Sequence, residues 1–138
     1  MAYWLVKSEP FVYAFSTLQK EGKVTWDGVR NYLARNYLRA MKKGEQVLFY
    51  HSREGLEVVG ICEVIREYYP DPTAEAGVLS AVDLGPVRAL KHPVPLKVIK
   101  STPELQDIGL VRMGRLSVMP LTEEAFFKIL ALGDETRC

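Results

Sequence analysis

The run VVGICEVIREYY, from Val58 to Tyr69, most constrains how this chain can fold. It is rich in β-branched and aromatic residues, which favour a strand, and it follows a similar run, QVLFYHS, from Gln46 to Ser52. The segment from Ser52 to Glu57, which contains Gly55, predicts a hairpin loop between the two strands. Gly60, inside the second run, predicts a bulge or a close approach to the backbone. Two neighbouring strands of this kind predict that the chain forms a β-sheet.

The rest of the chain alternates short strand patterns with helix signals. Further strands are predicted at Tyr3 to Ser8, Val78 to Leu90 with an interruption at Gly85-Pro86, His92 to Val98, and Arg115 to Leu121. Helices are predicted after a capping box at Ser16 and Gln19 and up to Gly22, from Val29 to Lys43 and up to Gly44, after Ser101 or Thr102, and after Thr122. Pro70 to Thr73 predicts a turn. We expect one α+β domain over residues 1–138, built as a small, mostly antiparallel barrel.

Charge distribution is more informative than net charge, because a formal net charge of +1 predicts no general attraction to polyanions. Between Asp27 and Glu45 there is no acidic residue. The interval contains five basic residues: Arg30, Arg35, Arg39, Lys42 and Lys43. On a helix, positions 35, 39 and 42 share one face, opposite an apolar stripe of Val29, Leu33, Tyr37, Ala40 and Met41. The basic face is either a solvated surface or a surface that contacts phosphates.

Common catalytic and metal-binding motifs are absent from the sequence. It has no G-x-S-x-G, P-loop, Rossmann or HExxH pattern, and its two cysteines and two histidines lack metal-ligand spacing, so we expect no metal or other cofactor. His51 and Ser52 are neighbours on a predicted strand and point to opposite faces, so they cannot serve each other as base and nucleophile. A carboxylate pair of Glu9 and Asp27 keeps an enzyme as one alternative. A protein-interaction adaptor that uses the basic helix is another.

The N-terminus and the cysteines indicate the cellular setting. Met-Ala-Tyr-Trp runs directly into a strand pattern, with neither a signal peptide nor a membrane-span pattern. Cys62 lies in an apolar run and predicts a buried thiol, whereas Cys138 is the last residue. We therefore expect a cytoplasmic monomer without a membrane partner; association with the nucleoid, or with ribosomes and RNA, stays open.

Four segments of the chain resemble the EVE domain family. They are YWLVKSEP at Tyr3 to Pro10, WDGVRNYLARNYLRAMKKGEQVLFYHS at Trp26 to Ser52, VVGICEV followed by YPDPTA, and GRLSVMPLT at Gly114 to Thr122. The resemblance implies a PUA-like β-barrel, related to YTH and ASCH domains, that reads modified bases in DNA or RNA. One departure is the segment from Ala74 to Ala81, which is short and has no aromatic residue where the family carries a longer insert with a tryptophan.

The resemblance implies a site for one extruded base and its flanking phosphates. The residues implied for the base pocket are Trp26, Gly28, Val29, Asn31, Ser8, Tyr50, His51, Ser52, Leu116 and Ser117. The residues implied for phosphate contact are Lys7, Arg30, Arg35, Arg39 and Arg115. The implied function is non-catalytic binding of nucleic acid that carries a modified base such as 5-methylcytosine. The alternatives are RNA binding without base selectivity and an enzyme that acts on nucleobases.

Trp26 is the central residue of this interpretation. An extruded base needs an aromatic surface to replace its lost stacking, which is worth roughly 1 to 3 kcal/mol per base, and base identity must come from hydrogen bonds at the base edge. Without the resemblance, Trp26 is better interpreted as a core residue. Likewise, Asn31 has an alternative role as a helix N-cap, Ser8 as the end of a strand, and Arg115 as a solvated turn residue.

Overall fold

The computed structural model describes residues 2–11, 13–26, 32–53, 55–70, 80–113 and 116–134. Within these residues six strands form one sheet: β1 Tyr3–Ser8, β2 Val24–Trp26, β3 Gln46–His51, β4 Glu57–Pro70, β5 Ser80–Pro95 and β6 Val118–Leu121. The α-helices of the same residues are α1 Phe15–Glu21, α2 Tyr32–Ala40, α3 Leu96–Lys100, α4 Gly109–Arg112 and α5 Glu123–Asp134, with a 3-10 helix at Pro103–Leu105. The strand order is β2-β5-β4-β3-β1-β6. Only β1 and β3 pair in parallel within this sheet, so the predicted mixed, mostly antiparallel α+β fold is confirmed.

The sheet curls into a half-barrel. Since β5 and β4 lie between β2 and β3, the backbones of β2 and β3 would be about 14 Å apart in a flat sheet. Yet the ring centroids of Trp26 on β2 and Phe49 on β3 are only 5.7 Å apart. The pairing of β4 with β5 shifts its register at four points, and each irregularity bends the strands. The curvature therefore brings the edge strand β2 over the centre of the sheet.

Gly60 is both a point of irregular pairing and a point of close approach, as predicted. The register of β4 shifts between Val58 and Gly60 against β5, and between the same residues against β3. A Cβ atom on Gly60 would lie 2.3 Å from the ring of Phe15. The ring of Phe15 thus fits against β4 because no side chain stands there.

β5 is one strand of 16 residues, so the predicted break at Gly85-Pro86 is wrong. Pro86 is accommodated because the register shifts next to it, between Ile61 and Cys62 of the partner strand. The predicted extended piece from His92 to Val98 is also wrong in part. The strand continues only to Pro95, and helix α3 begins at Leu96.

Two predicted helix ends, at Gly22 and Thr122, agree with the structure. Gly22 ends α1 with a φ of 81°, and the Thr122 hydroxyl accepts a hydrogen bond from the Ala125 amide at 3.1 Å, which caps α5. The capping box at Ser16 is wrong, because α1 begins at Phe15 and its N-cap, Ala14, makes no side-chain bond. Of the predicted turn from Pro70 to Thr73, only Pro70 is described, and it is the last residue of β4. The other three positions lie outside the described residues.

Helix α2 ends earlier than predicted and packs on a partly different stripe. Its described part, Tyr32–Ala40, stops four residues before Gly44, because Lys42 donates its amide to the Glu45 carboxylate at 2.8 Å instead of continuing the helix. The fully buried residues on its packed side are Ala34, Leu38 and Met41, whereas Leu33 is 36% exposed. Of the predicted apolar stripe, Met41 is confirmed and Tyr37 packs partly against the core, whereas Leu33 and Ala40 are exposed. Arg35 and Arg39 are half-buried.

Other predictions concern the cysteine and the membrane. Cys62 is fully buried, its thiol donates to the Val47 carbonyl at 3.4 Å, and burial raises the pKa of the thiol. Across the described ranges, each helix is too short or too polar to cross a bilayer.

Candidate nucleic-acid interface

The parallel pair β1 and β3 forms a wall with two distinct faces. Lys7 pairs with Tyr50, and Ser8 pairs with His51. Paired residues share a face and successive residues alternate, so Lys7 and Tyr50 lie on one side, and Ser8, Phe49 and His51 on the other. We call these the Tyr50 face and the Trp26 face, because Trp26 contacts Phe49. The implied base-pocket residues are thus divided between two faces of the sheet.

On the Trp26 face, the indole is half-buried and is held by a core ring. Trp26 meets the fully buried Phe49 edge to face, with an interplanar angle of 86°. The Phe49 ring also contacts the His51 ring, at a centroid distance of 5.7 Å and an angle of 83°. Trp26 therefore packs against the core without being sealed inside it.

His51 presents a hydrogen-bond donor on the same face. The Phe15 amide donates to Nε2 of His51 at 3.1 Å, which assigns the proton of the neutral ring to Nδ1. Burial lowers the pKa of His51 and so favours this neutral form. Within the described residues, the Nδ1–H group has no hydrogen-bond partner. Such a donor suits an acceptor on the edge of a base.

The hydroxyl proton of Ser8 is already used in a hydrogen bond within the protein. Its hydroxyl donates to the Tyr13 carbonyl at 2.5 Å, which ties the end of β1 to the segment that leads into α1. Its oxygen can still accept a hydrogen bond. Ser8 therefore ends the strand, and its oxygen stays open to one further donor; its role at a base edge stays a prediction.

A buried carboxylate, which the sequence analysis missed, fixes the strand that carries Trp26. Asp83 is 4% exposed, and its Oδ1 accepts hydrogen bonds from the Thr25 hydroxyl at 3.0 Å and from the Tyr69 hydroxyl. Burial raises the pKa of Tyr69, and the bond to Asp83 raises it further. The Arg66 guanidinium stacks 3.7 Å above the Tyr69 ring. The only available signal was an acidic residue inside the strand pattern around position 83.

On the Tyr50 face, a cavity of about 780 Å³ opens beside the wall. Its lining residues are Lys7, Glu9, Tyr50, Ser52, Arg53, Leu56, Leu96, Lys100, Leu110, Val111 and Ser117. β1, β3, α3 and α4 contribute to it, together with the segments that follow β1 and β3. The structure thus brings four of the predicted site residues together here, namely Lys7, Tyr50, Ser52 and Ser117.

Burial and charge shape this cavity. The Lys7 amide donates to the Ser117 carbonyl at 2.9 Å, and Lys7 Nζ lies 5.9 Å from the centroid of the Tyr50 ring. Burial lowers the pKa of Lys7 and raises the pKa of Tyr50. At the rim, Arg53 and Glu9 form an ion pair at 2.8 Å. The cavity is therefore half-enclosed and basic.

The remaining predicted site residues lie elsewhere or outside the described residues. Leu116 is 4% exposed and lines a separate cavity of about 560 Å³. The Arg39 guanidinium lies 5.8 Å from the ring of Tyr68 rather than in either site. Five predicted residues, namely Gly28, Val29, Arg30, Asn31 and Arg115, together with Asp27, lie outside the described residues, so their roles stay predictions.

The curled, mixed half-barrel belongs to the PUA-like class of domains. An ASCH domain from Zymomonas mobilis shares this fold with a TM-score of 0.60 at 11% identity, over 98% of each chain. The EVE domain model matches residues 2–132, and the chain belongs to the EVE domain family.

Several relatives within the family are closely similar in sequence and structure. A crystal structure of an Agrobacterium tumefaciens protein has 45% identity and a TM-score of 0.94, covering 96% of this chain and 93% of its own. Human thymocyte nuclear protein 1 is 34% identical over 168 residues, which cover 97% of this chain and 75% of the human protein. The structure of human THYN1 in complex with DNA containing 5-methylcytosine has 33% identity and a TM-score of 0.92, covering 99% of this chain and all of that one. The alignment with the human protein is longer than the 138 residues of this chain, so that relative has residues that this chain lacks.

Proposed function

We propose that this protein is a non-catalytic binding module for nucleic acid and that it accepts one modified base, such as 5-methylcytosine, against Trp26. The observation that carries the proposal is the half-buried indole of Trp26, fixed against Phe49, whose ring also contacts His51; the Nδ1–H group of His51 has no partner within the described residues. An aromatic plane and a nearby donor are what an extruded base needs for stacking and for recognition of its edge. The human relative in complex with 5-methylcytosine DNA supports the same ligand class.

The anchoring of β2 supports this assignment of Trp26. Asp83 binds Thr25, the residue next to Trp26, and is itself buried in the sheet. A rigidly held aromatic side chain loses little conformational entropy when a ligand stacks on it. The network therefore prepares the indole for binding before a base arrives.

Tryptophan fluorescence can test the proposal, because the chain has only two tryptophans and Trp4 is 4% exposed. Oligonucleotides that differ only in cytosine, 5-methylcytosine or 5-hydroxymethylcytosine are titrated in DNA and RNA form. We expect the modified strand to quench the emission and to bind more tightly than the plain strand. One methyl group can contribute only about 1 to 3 kcal/mol to this preference.

A matched pair of variants tests whether binding depends on the Trp26 side chain. Trp26→Ala is expected to weaken oligonucleotide binding about tenfold or more through loss of stacking. Its circular dichroism spectrum should stay unchanged, which would show that the fold is retained. Phe127→Ala removes an aromatic side chain that is 49% exposed on α5 and is expected to bind normally. Equal affinity for modified and plain strands would reject base selectivity and leave general nucleic-acid binding. Mass spectrometry of the recovered oligonucleotide tests catalysis, since a changed base would overturn the non-catalytic assignment.

A further inference from the structure

Several polar side chains that line the cavity on the Tyr50 face have no hydrogen-bond or ion-pair partner among the described residues. The side-chain hydroxyls of Tyr50, Ser52 and Ser117 and the ammonium group of Lys100 line it. None of these four groups has a hydrogen bond or an ion pair among the described residues. Tyr50 is only 2% exposed, although its hydroxyl is not among the buried unsatisfied side-chain atoms of the described residues. Convergent polar groups in a concave site are typical of ligand binding.

The charges and donors of this cavity select an oxyanion. Lys7, Arg53 and Lys100 contribute three basic side chains, against one carboxylate, Glu9, which is already paired with Arg53. Ammonium, guanidinium and hydroxyl groups all donate hydrogen bonds, and such bonds to an ionised oxygen are stronger than bonds between neutral groups. Burial lowers the pKa of Lys7, and an anion beside it would raise that pKa again. The same charges disfavour a cationic ligand.

The size and the apolar part of the cavity indicate that the oxyanion carries an organic body. Four aliphatic side chains form one side of the lining: Leu56, Leu96, Leu110 and Val111. The volume of about 780 Å³ is far larger than a bare inorganic anion needs and is typical of a site for a small organic molecule. A phosphate group attached to a sugar and a base has both the charge and the apolar surface.

We propose that this cavity is a phosphate subsite that binds a nucleotide, with Tyr50, Ser117 and Lys100 donating to the phosphate oxygens. The aliphatic side of the cavity contacts the attached sugar or base. The choice of a nucleotide rests on the proposed function, since it takes the phosphate from the strand whose base reaches Trp26. A free nucleotide offers the same chemistry, and competition distinguishes the two sources.

Amide chemical shifts measured by NMR locate the ligand. Inorganic phosphate, cytidine monophosphate and cytidine are titrated separately, and we expect the first two, but not cytidine, to shift the amides of Ser52 and Ser117. Displacement of cytidine monophosphate by a 5-methylcytosine oligonucleotide assigns the subsite to a strand phosphate. Retention of the monophosphate beside bound oligonucleotide assigns it to a free nucleotide.

Two lysines of one short helix provide a matched control. Lys97 and Lys100 are both exposed on α3, but only Lys100 lines the cavity. Lys100→Gln is expected to weaken monophosphate binding about threefold and to flatten its salt dependence, whereas Lys97→Gln leaves both unchanged. Tyr50→Phe keeps the ring and removes only the hydroxyl, and we expect it to weaken binding about fivefold to tenfold.

The outcomes separate this subsite from the base pocket. Unshifted amides at Ser52 and Ser117, together with equal affinity of the Lys97 and Lys100 variants, would overturn the subsite even if oligonucleotides quench Trp26. Shifts that persist in Trp26→Ala would support it as a site independent of the indole. Shifts without any quenching of Trp26 by modified strands would keep the subsite and reject the base-reader function.

Discussion

The two ends of the β1–β3 wall use polar side chains in opposite ways. Near the start of β3, Glu45 is 8% exposed and accepts hydrogen bonds from the Ala2 amide at 2.9 Å, the Trp4 indole at 3.0 Å and the Lys42 amide at 2.8 Å. At the other end, Tyr50 and His51 each keep a donor without a partner among the described residues. Neither donor is among the buried unsatisfied side-chain atoms of the described residues, so both are open to a partner from outside the protein. The same two strands are thus internally satisfied at one end and offer free donors at the other, where we propose the binding surface.

The largest effect is expected from breaking the satisfied end. Glu45→Ala leaves the Ala2, Trp4 and Lys42 donors without their acceptor, and we expect a loss of about 3 kcal/mol in the free energy of unfolding. Denaturant unfolding followed by circular dichroism measures it. Glu67→Ala removes an exposed carboxylate that accepts one amide, from Lys43 at 3.1 Å, and little change is expected. Equal losses in the two variants would contradict a structural role for Glu45.

The next effect concerns the Trp26 face alone. Gly60→Ala places a methyl group 2.3 Å from the Phe15 ring, which packs on Phe49 at 5.3 Å and whose amide binds His51. We expect a loss of about 1 to 3 kcal/mol from overpacking, and a changed emission of Trp26. Gly22→Ala meets no atom within 4 Å but is strained by its positive φ, so it separates strain from crowding. An unaltered Trp26 emission in Gly60→Ala would show that Phe15 does not position this face.

A smaller effect is expected in the pH dependence of stability, which differs between the two ends of the β1–β3 wall. Burial lowers the pKa of His51, so the unfolded chain takes up this proton first, and stability declines as the pH falls below the ordinary value of 6.5 toward the folded pKa. At Glu45, burial acts to raise the pKa, but the hydrogen bonds from Lys42, Trp4 and Ala2 lower it overall. Its stabilisation is therefore complete above the ordinary value of 4.5 and is lost as the pH falls through the lower folded pKa. In denaturant unfolding across this range, His51→Gln should remove only the first decline.

The smallest effect on stability is expected at the rim of the cavity. Arg53 pairs with Glu9 at 2.8 Å, but its side chain is 73% exposed, so Arg53→Ala should cost less than about 0.5 kcal/mol. The same change should still weaken monophosphate binding, since it removes one of the basic groups of the cavity. A large drop in thermal stability would place Arg53 with the scaffold instead.

The sequence predicted most of the sheet and part of the site, for identifiable reasons. β-branched residues located β3 and β4 to within about one residue, and Gly60 predicted the close approach that Phe15 fills. The apolar stripe of α2 was right at Met41 and in part at Tyr37 but wrong at Leu33, because Ala34 and Leu38 continue a stripe as well as Leu33 does, and only the packing decides.

The division of the site into two faces could not be taken from the family resemblance, because a motif joins neighbours such as Tyr50 and His51 that point in opposite directions. Asp83 was missed for a similar reason. Its partners, Thr25 and Tyr69, are 58 and 14 residues away in the sequence, and only the sheet brings them together.

The wall between the two faces is a single layer of backbone, with Phe49 on one side and Tyr50 on the other. A ligand that displaces these strands from one side changes the shape offered to a ligand on the opposite side. By thermodynamic linkage the influence is mutual, so a nucleotide that improves base affinity must itself be held more tightly once the base is seated. We therefore expect that a ligand bound on one face would change the affinity of the opposite face.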